Sequence, residues 1–139
     1  MQIQVKKLSS RATVPTKGHP NDAGWDLYAN ETVSVPAGMT VSIATGICFG
    51  IPDGYAALIW DRSSVAMKGI HRFAGVIDCG YIGEVKVCIN NSTKEPYHVT
   101  LGDRVAQVIF QKIHSFQLVE TEHLTDTSRG EGGFGSTGK

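Results

Sequence analysis

The stretch that decides the fold is Val41-Ser42-Ile43-Ala44-Thr45-Gly46-Ile47-Cys48-Phe49-Gly50-Ile51, in which large apolar side chains occupy alternate positions. A period of two indicates a β-strand with one buried face, whereas an amphipathic helix repeats about every 3.6 residues. The same alternation recurs farther along, where Val85, Val87 and Ile89 are separated by Lys86 and Cys88. Both runs are predicted to be strands.

Turn residues separate the apolar runs at short intervals: Pro36-Ala37-Gly38, Pro52-Asp53-Gly54 and Asn90-Asn91-Ser92. Proline presets the backbone for a turn, and glycine and asparagine accept its left-handed positions. The segment Arg104–Ile113 is ambiguous in period, but its β-branched residues favour a strand. The one plausible helix is short, over Ser64–Lys68 before Gly69. The chain is therefore predicted to be all-β, a sandwich or barrel of the jelly-roll kind with one short helix.

The composition excludes several classes of protein. At 139 residues the chain is long enough for one domain, and Lys plus Arg balances Asp plus Glu at 13 each. A neutral balance argues against nucleic acid as a partner. No apolar run approaches the roughly 18 residues of a membrane span, so no membrane partner is expected. Three cysteines without a C-x-x-C pair predict free thiols and a soluble intracellular protein.

The last eleven residues, Arg129–Lys139, contain five glycines and one aromatic residue. They have too little apolar surface to offset the entropy lost on ordering, so we divide the chain into a β-domain (1–128) and a flexible tail (129–139). A plain disordered end is the simpler interpretation. The functional one is a lid over a phosphate-bearing ligand, in which Arg129 grips phosphate, the glycine N–H groups form an anion nest, and Phe134 stacks on a base.

The segment Asp61–Gly69 follows the apolar run Ala56–Trp60 and opens the predicted helix. Helix N-termini favour anions, and Arg62, Ser63 and Ser64 would add donors there. The competing interpretation is an ordinary serine cap beside a surface arginine.

The segment Gly75–Glu84 places Asp78 at the end of a short apolar run, just before Gly80. A carboxylate in that place could orient and deprotonate a water molecule, and Tyr81 could pack on a sugar ring. The competing interpretation is a tight turn in which Asp78 bonds its own backbone.

Two further polar residues interrupt apolar runs: Asp26 within Ala23–Ala29, and Gln107 within Gly102–Phe110. An unpaired carboxylate in such a place is costly. Each is either a satisfied structural group or part of a site.

Taken in order, the stretches AGWDLYA, DRSSVAMKG, GVIDCGYIGE, GDRVAQVIF and RGEGGFGSTG resemble the five motifs of the trimeric dUTPase family and span residues 23–138. Asp61 departs from the family's usual proline, and Ile82 stands where arginine or glutamine is common. The region His71-Arg72-Phe73 is also atypical, and no role is assigned to it.

The resemblance implies a jelly-roll β-fold assembled as a homotrimer with shared active sites. It implies a Mg²⁺-dependent dUTP diphosphatase that converts dUTP to dUMP and pyrophosphate, keeping uracil out of DNA and supplying dUMP for thymidylate synthesis. The resemblance also implies that the tail closes from a neighbouring chain. Ten extended residues span at most about 33–36 Å, so such reach is physically possible.

By the same resemblance, Asp78 activates the water that attacks the α-phosphorus, Tyr81 excludes a ribose, and the backbone at Lys86 reads uracil. Asp26 would contact Mg²⁺ only through water. The implied substrate-binding residues are Arg62, Ser63, Ser64, Gly75, Val76, Ile77, Tyr81, Lys86, Gln107, Arg129, Phe134, Gly135, Ser136 and Thr137.

Two alternatives remain at this stage: a dCTP deaminase on the same fold, and a nucleotide sensor without catalysis. A zinc-dependent deaminase is excluded, because the chain has no H-x-E followed by P-C-x-x-C.

Overall fold

Eleven strands and one short helix form the regular structure of residues 1–133, the part of the chain that this computed structural model describes. In chain order they are β1 (Gln4–Lys7), β2 (Trp25–Tyr28), β3 (Val33–Val35), β4 (Thr40–Ala44), β5 (Ile47–Gly50), β6 (Tyr55–Trp60), α1 (Ser63–Ala66), β7 (Ile70–Phe73), β8 (Val76–Ile77), β9 (Lys86–Asn91), β10 (Tyr97–Val99) and β11 (Arg104–Lys112).

Every strand pair is antiparallel. The largest sheet has the order β2-β11-β6-β8, and a second has the order β4-β9-β7. Two smaller pairs, β1-β5 and β10-β3, complete the layers. Neighbours in the sheets are often distant in sequence, as expected of a jelly roll rather than a chain of simple hairpins. The predicted fold class, all-β with one short helix, is confirmed.

One apolar core lies between the sheets. Strands of all the sheets contribute to it, and the fully buried side chains include Leu27, Ile43, Ile47, Ile70, Ile89 and Val108. Alternation explains this set, because in β9 the residues Val87 and Ile89 are buried whereas Cys88 and Asn90 are only partly so. Burying branched apolar side chains stabilises by about 1.5–3 kcal/mol each.

The run Val41–Ile51 was predicted as one strand, and this is wrong: the chain turns at Thr45–Gly46 between β4 and β5. The side chain of Thr45 is buried and donates its hydroxyl hydrogen bond to the carbonyl of Val85. Gly46 has φ +67°, and a Cβ there would collide with Asn30 and Ala12. A buried polar contact 40 residues distant therefore breaks an otherwise continuous alternation.

The turn predicted at Asn90-Asn91-Ser92 is wrong: β9 continues through Asn91, whose buried side chain donates to the carbonyls of Val35 and Glu95, and the chain bends at 93–95. The other predicted strands and the helix are confirmed with small shifts. The segment 104–113 is a strand that ends at Lys112, and the helix begins one residue early and ends at Ala66. Gly69 has φ +76°, which suits its predicted role after the helix. Cys48, Cys79 and Cys88 are free thiols, as predicted. Among residues 1–133, no helix combines the length and the apolar character that crossing a membrane requires.

Candidate active site

Most of the predicted site residues within the described range 1–133 fall into two pockets, one on each flank of β6. The arginine pocket, about 520 Å³, is lined by Gly18, His19, Asp22, Ala23, Gly24, Asp26, Arg62, Ser63, Ser64, Arg104 and Gln107. The aspartate pocket, about 570 Å³, is lined by Ile59, Gly75, Val76, Ile77, Asp78, Tyr81, Glu84, Val85 and Lys86. Within the described residues the two pockets share no lining residue.

Asp26 anchors the arginine pocket. Its Oδ1 accepts a hydrogen bond from Arg62 Nε at 2.7 Å, and its Oδ2 accepts one from Arg104 at 3.1 Å. The Asp26 side chain is only 15% exposed, so this carboxylate needs charged partners to be stable as an anion. The two arginines meet that need and are held with their guanidinium groups at the pocket wall.

Gln107 lies in the middle of β11, opposite Trp60 of β6 and Asp26 of β2. Its Nε2 donates to the main-chain carbonyl of Asp61 at 2.8 Å. Gly24 permits this placement, because a Cβ there would lie 3.0 Å from Gln107 Cδ and closer still to its Oε1. The amide is thus positioned by backbone on both sides.

The start of α1 contributes two serines to the same pocket. Arg62 is the N-cap residue with extended backbone, and no side chain caps the helix. Ser63 and Ser64 are exposed first-turn residues. The structure therefore does not support the ordinary serine cap, and both hydroxyls line the pocket.

The aspartate pocket is built on β8, the two-residue edge strand beside β6. Gly75 accepts a hydrogen bond from Ile59 N–H at 2.8 Å, and a Cβ on Gly75 would lie only 3.0 Å from Ile59 Cβ. With φ +108°, this position also favours glycine for its backbone conformation. Gly75 therefore allows Val76 and Ile77 to pair closely with β6 and directs the chain toward Asp78.

Asp78 is exposed at the end of β8. The turn that follows is closed by the Asp78 carbonyl, which accepts from Tyr81 N–H at 3.3 Å. Among residues 1–133 the Asp78 carboxylate has no hydrogen-bond partner, so it does not stabilise the turn in which it lies. This argues against the alternative in which the Asp78 side chain bonds its own backbone in a tight turn. The carboxylate is instead open to a ligand or water.

Tyr81 and Glu84 also line the aspartate pocket. The Tyr81 hydroxyl donates to the Glu84 carbonyl at 3.1 Å, and its ring lies over Gly83, where a Cβ would come within 2.6 Å of Cζ. Glu84 accepts a hydrogen bond from Gly46 N–H at 2.9 Å and lies 3.7 Å from Lys86 Nζ. The tyrosine ring lines the pocket, is about half exposed, and is held by the bond from its hydroxyl to Glu84.

Arg129 lies apart from both pockets. It belongs to the exposed segment 113–133, which has no strand or helix, and its Nε donates to the Gly132 carbonyl at 3.0 Å. The predicted contacts Phe134, Gly135, Ser136 and Thr137 lie outside the described residues.

The sequence interpretation missed Arg104, His19 and Asp22 in the arginine pocket, and Glu84 in the aspartate pocket. Arg104 is the first residue of a long, largely apolar strand, a signal that could have been used. The loop that carries His19 and Asp22 has no periodicity and offers no such signal. Within residues 1–133, no three His, Cys, Asp or Glu side chains converge as a metal site.

The sequence and the fold of this chain are both similar to those of known proteins. The dUTPase family model matches residues 10–138. The deoxyuridine 5'-triphosphate nucleotidohydrolase of Yarrowia lipolytica is 45% identical over 141 residues, covering 99% of this chain and 90% of that protein. The dUTPase of Staphylococcus bacteriophage 80alpha, solved with dUPNHPP, superposes with a TM-score of 0.90 at 30% identity, covering 99% of each chain.

A third relative is a mutant dUTPase from phage phi11 of S. aureus, whose structure is described as revealing the coordination of a structural Mg(II) ion. It superposes with a TM-score of 0.84 at 27% identity, covering 91% of this chain and all of that one. Since the family model spans nearly the whole chain, both pockets included, the chain belongs to the dUTPase family.

Proposed function

We propose that this protein hydrolyses dUTP to dUMP and pyrophosphate. The observation that carries the proposal, given the family, is the grouping of an unpaired Asp78 carboxylate, the Tyr81 ring and the start of β9 in one pocket. Anion-exchange analysis of dUTP, dCTP and UTP incubated with Mg²⁺ tests it. A dCTP deaminase would instead convert dCTP, and a sensor would bind nucleotide without turnover.

Asp78 is proposed to act as the general base. Its carboxylate accepts a proton from a water molecule, whose oxygen forms a bond to the α-phosphorus. The bond from the α-phosphorus to the bridging oxygen breaks, and pyrophosphate leaves with that oxygen. No covalent intermediate with the protein forms, so the protein contributes positioning and charge stabilisation.

The main chain at Lys86 is proposed to read uracil. Its cross-strand partner is Ala44 in β4. The N–H of Ala44 donates to Glu31 and its carbonyl accepts from Asn30, so these two groups are not paired with Lys86. On the other side, β7 ends at Phe73, opposite Cys88, two residues short of Lys86. The Lys86 edge is therefore open to a base that offers one donor and one acceptor.

Uracil presents N3–H as a donor and O4 as an acceptor, and cytosine reverses that pattern. A cytosine would leave buried groups unpaired, which discriminates strongly. Gly75, Val76 and Ile77 would support the base from β8. Tyr81 would pack on the deoxyribose and leave no room for a 2′-hydroxyl.

The arginine pocket is proposed to hold the phosphates through Arg62, Ser63, Ser64 and Gln107. Its two arginines are balanced by Asp26 and Asp22, so a triphosphate would bring uncompensated negative charge. Mg²⁺ bound to the phosphates would supply the missing positive charge and hold their geometry. With no cluster of three metal-binding side chains in residues 1–133, the donor set fits an ion held by phosphate oxygens and water.

The contacts of Asp26 are consistent with indirect binding of Mg²⁺, through a water molecule. Each of its carboxylate oxygens already accepts a bond from an arginine and keeps a second lone pair. It would contact a water of the Mg²⁺ shell rather than the ion.

We further propose that the active species is a homotrimer in which dUTP binds between the arginine pocket of one chain and the aspartate pocket of another. The separation of the two pockets on the flanks of β6 supports this assembly. So does the segment after β11, whose large apolar side chains are exposed in the single chain: Phe116, Leu118, Val119 and Leu124. Light scattering would give the mass of the active species, and an active monomer would contradict the proposal.

Residues 1–128 are proposed as the β-domain and residues 129–139 as a lid. In the lid, Arg129, Ser136 and Thr137 would clamp the terminal phosphate and Phe134 would cover the base. Gly135 would offer its N–H. The charge-assisted bonds to phosphate support this, because they would offset part of the ordering cost of the tail.

A further inference from the structure

Asp61 has no role in the scheme above, yet it makes three hydrogen bonds where the chain passes from β6 into α1. Its Oδ1 accepts from the main-chain N–H of Arg72 at 2.7 Å, and its Oδ2 lies 3.3 Å from His71 Nδ1. Its main-chain carbonyl accepts from Gln107 Nε2 at 2.8 Å.

These bonds join elements of two different sheets. Gln107 belongs to β11 in the four-stranded sheet, whereas His71 and Arg72 belong to β7 in the three-stranded sheet. Asp61 therefore fixes the corner between β6 and α1 against both.

The corner needs this support because α1 cannot hold itself. The helix has four residues, and no side chain caps it. A helix this short is not stable by itself, because its few hydrogen bonds do not offset the entropy lost when its first turn forms. Arg62 and Ser63, which follow Asp61 directly, would otherwise be free to shift within the arginine pocket.

The donor of the link, the main-chain N–H of Arg72, is itself restrained. The Arg72 guanidinium lies 4.9 Å from the centre of the Trp60 ring and donates to the Ala74 carbonyl at 2.8 Å. Ala74 has φ +61°, an uncommon conformation for a residue with a side chain. Arg72 thus holds β7 close to β6, where Asp61 reaches its N–H.

We propose that Asp61 is a positioning residue of the arginine pocket, acting through Arg62 and Gln107 to hold them where the β- and γ-phosphates bind. The proposal rests on the proposed function, because it assigns those phosphates to this pocket. Uracil and sugar contacts lie in the aspartate pocket and do not depend on Asp61.

The test compares a ligand with all three phosphates and a ligand with one. In Asp61→Ala, a non-hydrolysable dUTP analogue with Mg²⁺ should bind roughly tenfold more weakly, since a charged acceptor has been removed. The KM for dUTP should rise similarly, with kcat changed less. The affinity for dUMP, which brings one phosphate to this pocket instead of three, should fall much less.

Two matched variants accompany it. Asp61→Asn keeps an oxygen that accepts from Arg72 N–H and should restore most of the analogue affinity. Asp53→Ala removes an exposed carboxylate in the turn at the other end of β6 and should change neither affinity.

A selective loss of analogue affinity that Asn restores supports the proposal. Unchanged analogue affinity in Asp61→Ala overturns it, and so does an equal loss of dUMP and analogue affinity. If the alanine variant does not fold, Asp61→Glu, which displaces the carboxylate, is read by the same criteria. A wild-type protein that does not hydrolyse dUTP refutes the proposed function instead, before any variant is compared.

Discussion

Arg62 Nε lies 2.7 Å from Oδ1 of Asp26, a contact between residues 36 positions apart that joins the start of α1 to β2. Both side chains are mostly buried, so the contact is poorly screened by solvent. Removing one partner would leave the other charge without compensation.

The first prediction concerns this pair. Asp26→Ala should raise the KM for dUTP about 10–100-fold, because Arg62 and Arg104 would repel each other and lose their orientation. Asp26→Asn, which keeps both shape and an acceptor, should have a smaller effect. Steady-state kinetics at saturating Mg²⁺ give the KM of each variant. An alanine variant with wild-type KM would show that Asp26 does not organise the phosphate contacts.

The second prediction concerns the base. Asp78→Asn should lower kcat by ~10²–10⁴-fold, because the amide cannot accept the proton of the attacking water. Affinity for a non-hydrolysable dUTP analogue should persist, and Asp53→Asn serves as the control. Turnover near that of the wild type would remove Asp78 from the mechanism.

Sugar selection is the third prediction. Tyr81→Ala should narrow the preference for dUTP over UTP. Gly83→Ala should do the same with Tyr81 still present, because the added methyl group would push the ring from its place. Competition assays with both nucleotides give the ratio of kcat/KM values. A wild-type protein that uses UTP as well as dUTP would contradict the role of Tyr81.

The fourth prediction tests how the pockets combine. Arg62→Ala and Asp78→Asn chains, each nearly inactive alone, should regain about a quarter of wild-type activity when mixed equally and allowed to exchange. Every mixed trimer would then contain one site with both pockets intact. If one chain supplied both pockets of its own site, no mixture would regain activity, and mass spectrometry of differently tagged chains would confirm that exchange occurred.

The fifth prediction concerns the tail. Deletion of residues 129–139 should leave a folded assembly that binds dUMP, because residues 129–133, the part of the tail that the structure describes, line neither pocket. It should lose most dUTP turnover, since the site could no longer exclude water or align the phosphates. Circular dichroism and kinetics of the truncated chain measure both. Full activity after truncation would refute the lid.

The sequence was sufficient for the elements in which local pattern and tertiary packing agree. β-Branched residues predicted the strand that became β11, and a carboxylate among apolar residues singled out Asp26, which the structure pairs with two arginines. The break at Thr45–Gly46 was missed because its cause is a buried bond to Val85, which no local pattern reports. Asp61 was noted only as a departure from the family, because its partners on β7 and β11 are brought near only by the folded sheets.

The placement of the two pockets on either flank of β6 has a consequence for inheritance. In the proposed trimer, a chain with one damaged pocket would inactivate a single site. A chain whose β6 is distorted, for instance at the buried Ala57 that pairs with both β8 and β11, would spoil two. Where two alleles are expressed together, lesions in this strand should therefore be more dominant than lesions in either pocket alone.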